Sequence, residues 1–144
     1  MKSIFQLLSL VLILAACNKK SKSDLPTNLN LPKDFLTFYD QFHADTAYQV
    51  RHITFPLKGM PMHADSMTLL EDNFYYDKAL WIPHKTMTLN DTFYSRQFLM
   101  LSDEMLSERI IQKDVNYGME RRFAKLHGEW NLIYYMAMNP LAKR

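Results

Sequence analysis

The first 17 residues constrain the fold most, because they decide how much of the chain can fold and what can stabilise it. Lys2 precedes an apolar run at positions 4–14, and the last residue of the run begins the segment Leu14-Ala15-Ala16-Cys17. A positive start, a short apolar run and small residues before a cleavage point are typical of a secretory signal. The run is well short of the roughly 20 apolar residues that span a bilayer. We therefore expect residues 1–16 to be a signal peptide and to be removed.

Cys17 is the only cysteine in the chain. The segment Leu14-Ala15-Ala16-Cys17 resembles the lipobox of bacterial lipoproteins, and the resemblance implies cleavage before Cys17 and a diacylglycerol thioether on its sulfur. Acylation would consume this thiol, which excludes disulfides, thiolate metal sites and a cysteine nucleophile. The exported domain would then be stabilised by its core alone.

The predicted lipid on Cys17 implies how the chain is organised and where the protein is located. Residues 17–31 are polar, show no apolar period and are typical of a flexible tether, whose length corresponds to about 20 Å of typical reach. Residues 32–144 are enough for one core, so we expect a single globular α+β domain. Asn18 is not the aspartate that, by resemblance to enteric lipoproteins, retains a lipoprotein at the inner membrane. The sequence thus predicts a cell-envelope protein anchored to the outer membrane and facing the periplasm.

Charge composition excludes one class of partner. The chain has 17 basic and 15 acidic residues, and loss of Lys2 with the signal leaves a net charge near +1. No basic face is evident beyond Lys19, Lys20 and Lys22 beside the lipid, so we expect no nucleic-acid partner. The expected partners are the membrane, a small apolar ligand or another envelope protein, and no cofactor is predicted.

The N-terminal part of the domain has a helical pattern. Pro32 suits a first turn, and four aromatic residues follow at i, i+3, i+4 and i+7, which predicts one buried helix face: Phe35, Phe38, Tyr39 and Phe42. Asp45 is expected to cap a second helix, Thr46 to about His52. Residues 53–57 then alternate like a strand, and residues 58–65 read as a loop.

The C-terminal part has strand patterns. Residues 67–80 are ambiguous between a helical turn and a strand, Asn90-Asp91 signals a turn, and residues 93–101 read as a strand. Helical spacing of Met105, Leu106, Arg109 and Ile110 predicts a helical turn after residue 102. Strands at 119–126 and 129–138 flank His127-Gly128, a tight hairpin signal. We expect alternate residues of the last strand to share one face, with Trp130 and Phe42 in one core; that face contains Trp130, Leu132, Tyr134 and Met136.

Helices followed by a sheet with a long closing hairpin resemble the nuclear-transport-factor-two-like fold, in which helices pack across a curved antiparallel sheet and leave a conical cavity. The stretch Phe38-Tyr39-Asp40-Gln41-Phe42, the segment 45–57 and Gly128-Glu129-Trp130-Asn131-Leu132 resemble small Bacteroidales lipoproteins of a domain family of unknown function with that fold. The resemblance implies a fold and a location. It implies no catalytic residue.

One polar cluster is a candidate ligand site: Asp45, Gln49, Arg51 and His52 all lie on the second predicted helix. Arg51 would suit a carboxylate or phosphate at a pocket mouth. The structural alternative makes Asp45 a helix cap, Gln49 a backbone partner and Arg51 half of an ion pair.

Two His-x-Asp triplets, at positions 43–45 and 63–65, raise the possibility of proton transfer. A small hydrolase or isomerase would use His43 or His52 with Asp45 in the cone cavity. On a helix, residues at i and i+2 do not share a face, which argues against the first triplet. The second triplet lies in the predicted loop and could orient outward, but neither triplet is a catalytic motif.

Methionines are clustered in the predicted loop: Met60, Met62, His63 and Met67 lie within eight residues. Thioethers and an imidazole suit Cu(I). The alternative is a flexible rim that fills gaps over the core. The favoured interpretation of the whole chain is a non-enzymatic binding or interaction module, with the acid–base enzyme and the copper protein as alternatives.

Overall fold

The structure, a computed structural model, describes residues 31–86 and 92–141. The predicted signal peptide, Cys17, most of the tether and the Asn90-Asp91 turn lie outside the described residues. The helices are α1 (Lys33–Ala44), α2 (Thr46–Arg51) and α3 (Ser66–Glu71), with a 3₁₀ turn at Lys78–Leu80; the strands are β1 (Leu57–Met60), β2 (Tyr75–Tyr76), β3 (Tyr94–Ser102), β4 (Met105–Gln112), β5 (Tyr117–Leu126) and β6 (Glu129–Pro140). Within this part of the chain no helix is long and apolar enough to cross a membrane.

The described strands form one mixed sheet in the order β2-β1-β6-β5-β4-β3. The fold is therefore α+β. Strands β3 to β6 are joined by successive antiparallel pairings, but β1 runs parallel to β6. The expectation of a purely antiparallel sheet is wrong at this one pair. Because β1 and β6 are far apart in sequence, no hairpin imposes an antiparallel arrangement on them.

The predicted aromatic face of α1 is confirmed, and it lies on one face of the sheet, here called the inner face. Phe35 and Phe42 are fully buried, and the Phe35 ring centroid is 5.1 Å from that of Trp130 and 5.5 Å from that of Phe123. Phe42 and Trp130 belong to the same core cluster, as predicted. Helix α1 thus packs against the hairpin that closes the chain.

The predicted strand at 53–57 is wrong in its bounds. Ile53 makes only an isolated bridge to Leu132, and regular pairing begins at Leu57. Pro56 has no N–H to donate, so the ladder cannot continue through it. Residues 58–60, which were predicted to begin a loop, belong to β1 instead. A Cβ on Gly59 would lie 2.0 Å from the Tyr135 carbonyl oxygen, so only glycine permits this close approach to β6.

The predicted helical turn after residue 102 is also wrong, because β4 begins at Met105. Leu106, Glu108 and Ile110 are all buried, at every second position, which is the period of a strand. Glu108, at the centre of this inward-facing row, is charged, so apolar and polar residues do not alternate in the sequence as they do in most half-buried strands.

The closing hairpin is confirmed, but the predicted face of β6 is right only in its first half. Phe123 pairs with Leu132, whereas Arg122 pairs with Tyr134, so Ile133 is an extra residue in β6. Such a bulge reverses the alternation beyond it. Trp130 and Leu132 face inward, and after the bulge it is Tyr135, not Tyr134, that packs against the core.

Candidate functional site

An open groove of about 1170 Å³ runs between α1, α2 and the turn of the β5–β6 hairpin. Its aromatic lining is Phe38, Tyr48, Phe55 and Trp130, and its polar lining includes Asp34, Arg51, His52, Lys78 and Glu129. This arrangement of apolar surface with a few polar groups is typical of small-molecule sites.

Helix α2 supplies one wall, and Asp45 fixes where this helix begins, as predicted. Oδ1 of Asp45 accepts hydrogen bonds from the backbone N–H groups of Ala47 (2.8 Å) and Tyr48 (3.0 Å). The bond from Tyr48 is the largest cause that lowers the pKa of Asp45 below its usual value. The cap orients the short helix so that Tyr48 and His52 stack on each other at the groove, with ring centroids 3.8 Å apart.

Gln49 does not face the groove and is 1% exposed. Its Nε2 donates to the carbonyl oxygens of Phe42 (2.7 Å) and His84 (2.6 Å), and its Oε1 accepts from the His84 N–H (2.7 Å) and Trp81 Nε1 (3.2 Å). These four bonds use its full capacity. Of the four predicted ligand residues, the structure therefore brings Arg51 and His52 into one groove and assigns helix-capping and clamping contacts to Asp45 and Gln49.

The two acidic groups of the groove have different environments. Asp34 Oδ2 accepts from Trp130 Nε1 (3.1 Å) and lies 2.6 Å from Lys125 Nζ. The Lys125 contact is the largest cause that lowers the pKa of Asp34. Glu129 is exposed, with an oxygen 3.8 Å from His52 Nε2. That separation is longer than a hydrogen bond.

Two cations of the groove are available for a ligand. Arg51 lies over the Tyr48 ring, 6.0 Å from its centroid, and Lys78 approaches from the 3₁₀ turn. Within residues 31–86 and 92–141, neither side chain makes a salt bridge or a hydrogen bond to the protein. An anionic group in the groove would thus meet two cations that need not give up other partners.

A second polar constellation lies on the inner face under α1, and nothing in the sequence analysis predicted it. Glu108 accepts from the Tyr39 hydroxyl (2.6 Å) and from Arg121 Nε (2.7 Å), and it lies 3.2 Å from Arg96 Nε. Arg121 Nη1 lies 2.8 Å from His43 Nε2. Burial opposes ionisation of Arg121, but Glu108 raises its pKa above the usual value. Burial also raises the pKa of Tyr39.

His43 has both ring nitrogens engaged. Its Nδ1 lies 2.7 Å from the Tyr39 carbonyl oxygen, which requires Nδ1–H, and its Nε2 then accepts from Arg121. Burial, reinforced by the Arg121 charge, lowers the pKa of His43 to about 3. No hydrogen bond joins Asp45 to His43 or His52 among the described residues. The predicted His–Asp proton carriers are therefore not brought together.

His84 lies beside the same region, between aromatic rings. Its ring centroid is 4.5 Å from that of Tyr135 and 4.6 Å from that of Trp81. Its Nδ1 is buried and has no hydrogen-bond partner within the described part of the chain. Burial, with the nearby Arg121 charge, lowers the pKa of His84 to about 3. The imidazole is therefore neutral at physiological pH.

The methionine cluster spans three local environments. Met60 is half-buried in β1, Met62 is exposed in the turn that follows β1, and Met67 is exposed in the first turn of α3. His63 Nδ1 lies 2.6 Å from the Tyr117 hydroxyl, which leaves Nε2 as its available ligand atom. Across the described ranges, no three histidine, cysteine, aspartate or glutamate side chains are grouped to hold a metal ion. Binding of Cu(I) through thioethers stays a prediction.

No protein-family model and no curated protein matches the chain. Among solved structures, the chain is similar to an NTF2-like protein from Bacteroides fragilis, with 15% sequence identity and a TM-score of 0.49. The alignment covers 81% of this chain and 51% of that one. This chain therefore spans about half the length of the protein it matches.

Proposed function

We propose that the chain is a lipid-anchored cell-envelope binding protein with a nuclear-transport-factor-two-like domain, attached to the outer membrane and facing the periplasm. Its ligand is a small molecule with a flat apolar body and an anionic end, or a segment of an envelope protein with the same chemistry. The groove carries this proposal, because it combines an aromatic lining with two cations, Arg51 and Lys78, that make no salt bridge or hydrogen bond within the described part of the chain. The lipobox-like segment that ends at Cys17 supports the anchor.

The histidines favour binding over acid–base chemistry. His43 is held between a carbonyl oxygen and a guanidinium, and its pKa of about 3 keeps it from exchanging protons near neutral pH. His52 donates from Nδ1 to the Tyr48 carbonyl oxygen, and its Nε2 is separated from Glu129 by more than a hydrogen bond. Proton transfer by His52 and Glu129 is the alternative, and it would require the two groups to approach when substrate binds.

The anchor is tested by mass spectrometry of the protein from its native membrane. Cleavage before Cys17 and a diacylglycerol adduct on its sulfur are expected, and Cys17→Ala should abolish lipid labelling. A native chain that still carries residues 1–16, or an unmodified Cys17, would refute the anchor.

The groove is tested with 1-anilinonaphthalene-8-sulfonate, a probe with an aromatic body and one sulfonate. Because charge-assisted contacts contribute about 1.5–3 kcal/mol each, the Arg51→Gln/Lys78→Gln double variant should bind the probe at least about tenfold more weakly. Lys113→Gln, at the opposite end of β5 from the groove, is the control. Equal affinity of the double variant and the parent would refute the groove as the site.

A further inference from the structure

The segment that begins with the last residue of the 3₁₀ turn presents two apolar side chains to solvent. Leu80 and Ile82 are 82% and 80% exposed, the highest values among the large apolar residues in the described ranges. Trp81, between them, points the other way and packs against the core. Single exposed apolar residues are common, but neighbouring ones rimmed by polar residues can mark a protein or membrane contact.

The exposure of Leu80 and Ile82 is enforced by contacts on the inner side of the segment. Trp81 Nε1 donates to Gln49 Oε1, and both the N–H and the carbonyl of His84 bond to the side chain of Gln49. The Trp81 ring also lies 5.9 Å from Phe55 and 5.8 Å from Tyr135, centroid to centroid. A segment tied down at Trp81 and His84 cannot fold Leu80 and Ile82 onto the surface, so they stay outward.

Cations flank this apolar pair. Lys78 precedes it and Lys85 follows it, and both are exposed. The nearest acidic residue, Asp77, accepts a hydrogen bond from the Ala79 N–H at the start of the 3₁₀ turn. Two apolar side chains between two lysines match the interface of a bilayer, where phosphates lie just outside the acyl chains.

The 3₁₀ turn that leads into this segment borders the groove near which the described chain begins. Lys78 borders the same groove as Asp34, and Asp34 is three residues beyond Leu31, where the described chain begins. Thirteen residues separate Cys17 from Leu31, and a tether of the kind predicted from the sequence would have about 20 Å of typical reach. A lipid on Cys17 would therefore hold the groove close to the membrane surface.

We propose that Leu80 and Ile82 insert into the interface of the bilayer to which the protein is anchored, so that the groove opens toward the membrane. The inference rests on the proposed anchor for its location. It identifies lipid as the partner of the surface formed by Leu80 and Ile82. Because the groove would then open onto the bilayer, amphipathic molecules from the membrane are its expected class of ligand.

The test uses the acylated full chain in vesicles of phosphatidylethanolamine and phosphatidylglycerol. Because acylation occupies the only native thiol, Ile82→Cys introduces a single site for an environment-sensitive nitrobenzoxadiazole label. Val115→Cys is the matched control, since Val115 is also exposed but lies in the turn at the opposite end of β5 from the groove. The label at position 82 should shift to shorter emission wavelength and be quenched by lipids spin-labelled near the interface, while the label at position 115 should do neither.

Anchored protein whose two labels are equally unquenched would overturn the inference and leave the anchor intact. Leu80→Cys gives an independent reading of the same surface, and quenching at neither 80 nor 82 would have the same meaning. A chain that carries no acyl groups and does not sediment with the vesicles would overturn the anchor and this inference together.

Discussion

Replacing His43 by glutamine should make the protein less sensitive to mild acid. In the folded protein the imidazole is neutral, with a pKa of about 3 caused first by burial and then by Arg121, whereas an unfolded histidine has a pKa near 6.5. The stability linked to this group is fully present above pH 6.5 and is lost as the pH falls toward 3. Between pH 7 and pH 5, proton uptake by the unfolded chain lowers the free energy of unfolding by about 2 kcal/mol for this one residue.

Urea denaturation of the parent and of His43→Gln at pH 7 and pH 5 measures this difference. The variant should lose about 2 kcal/mol less than the parent over that interval, because glutamine does not titrate. The pKa of His84 is lowered mainly by burial and by the Arg121 charge, so most of its contribution is common to both proteins. His127→Asn, at an exposed position in the hairpin turn, should behave like the parent. If His43→Gln loses as much stability as the parent, the imidazole is not held neutral and the reasoning fails.

Two further predictions address the buried cluster and the methionines. Glu108→Gln leaves Arg121 without its buried counter-charge and should lower the free energy of unfolding by about 3–5 kcal/mol in denaturant titrations. Asp72→Asn, which breaks an exposed pair with Lys58, should change the free energy of unfolding little, and similar losses in both variants would contradict the burial argument. Cu(I) should leave the melting temperature of the full chain unchanged, and submicromolar Cu(I) binding that disappears in a Met60→Ala/Met62→Ala variant would make metal handling the leading function.

The elements that could be predicted from the sequence are those with local and unmixed signals. The α1 face consists only of aromatic residues at helical spacing, and His127-Gly128 sits between two long strand patterns, so both elements were predicted closely. Helix α2 was predicted because a capping aspartate has a short-range cause. In β4, by contrast, Glu108 is a charge at an inward position, and its reason for being there is Arg121 on the next strand.

The candidate site could be predicted only in part, for the same reason. Arg51 and His52 could be predicted as site residues because they are adjacent in sequence at the end of one short helix. Lys78 and Glu129 join them in the groove only through tertiary packing. The bulge at Ile133 has no local sequence signal, and it determines which tyrosine of β6 reaches the core. A cluster of polar residues that are close in sequence therefore predicts the wall formed by α2. The walls formed by α1, the 3₁₀ turn and the hairpin turn could not be predicted in this way.

The position of β6 has a consequence for how the domain is made. The last strand of the chain lies between β1 and β5, and α1 packs its aromatic face against residues of both β5 and β6. Because synthesis proceeds from the N-terminus, the aromatic stripe of α1 is finished long before its binding surface exists. The nascent chain therefore carries exposed aromatic residues until β5 and β6 are made, and during that period it is vulnerable to aggregation and needs chaperones. Folding depends on contacts between α1 and the distant strands β5 and β6, so it should be slow for a domain of this size.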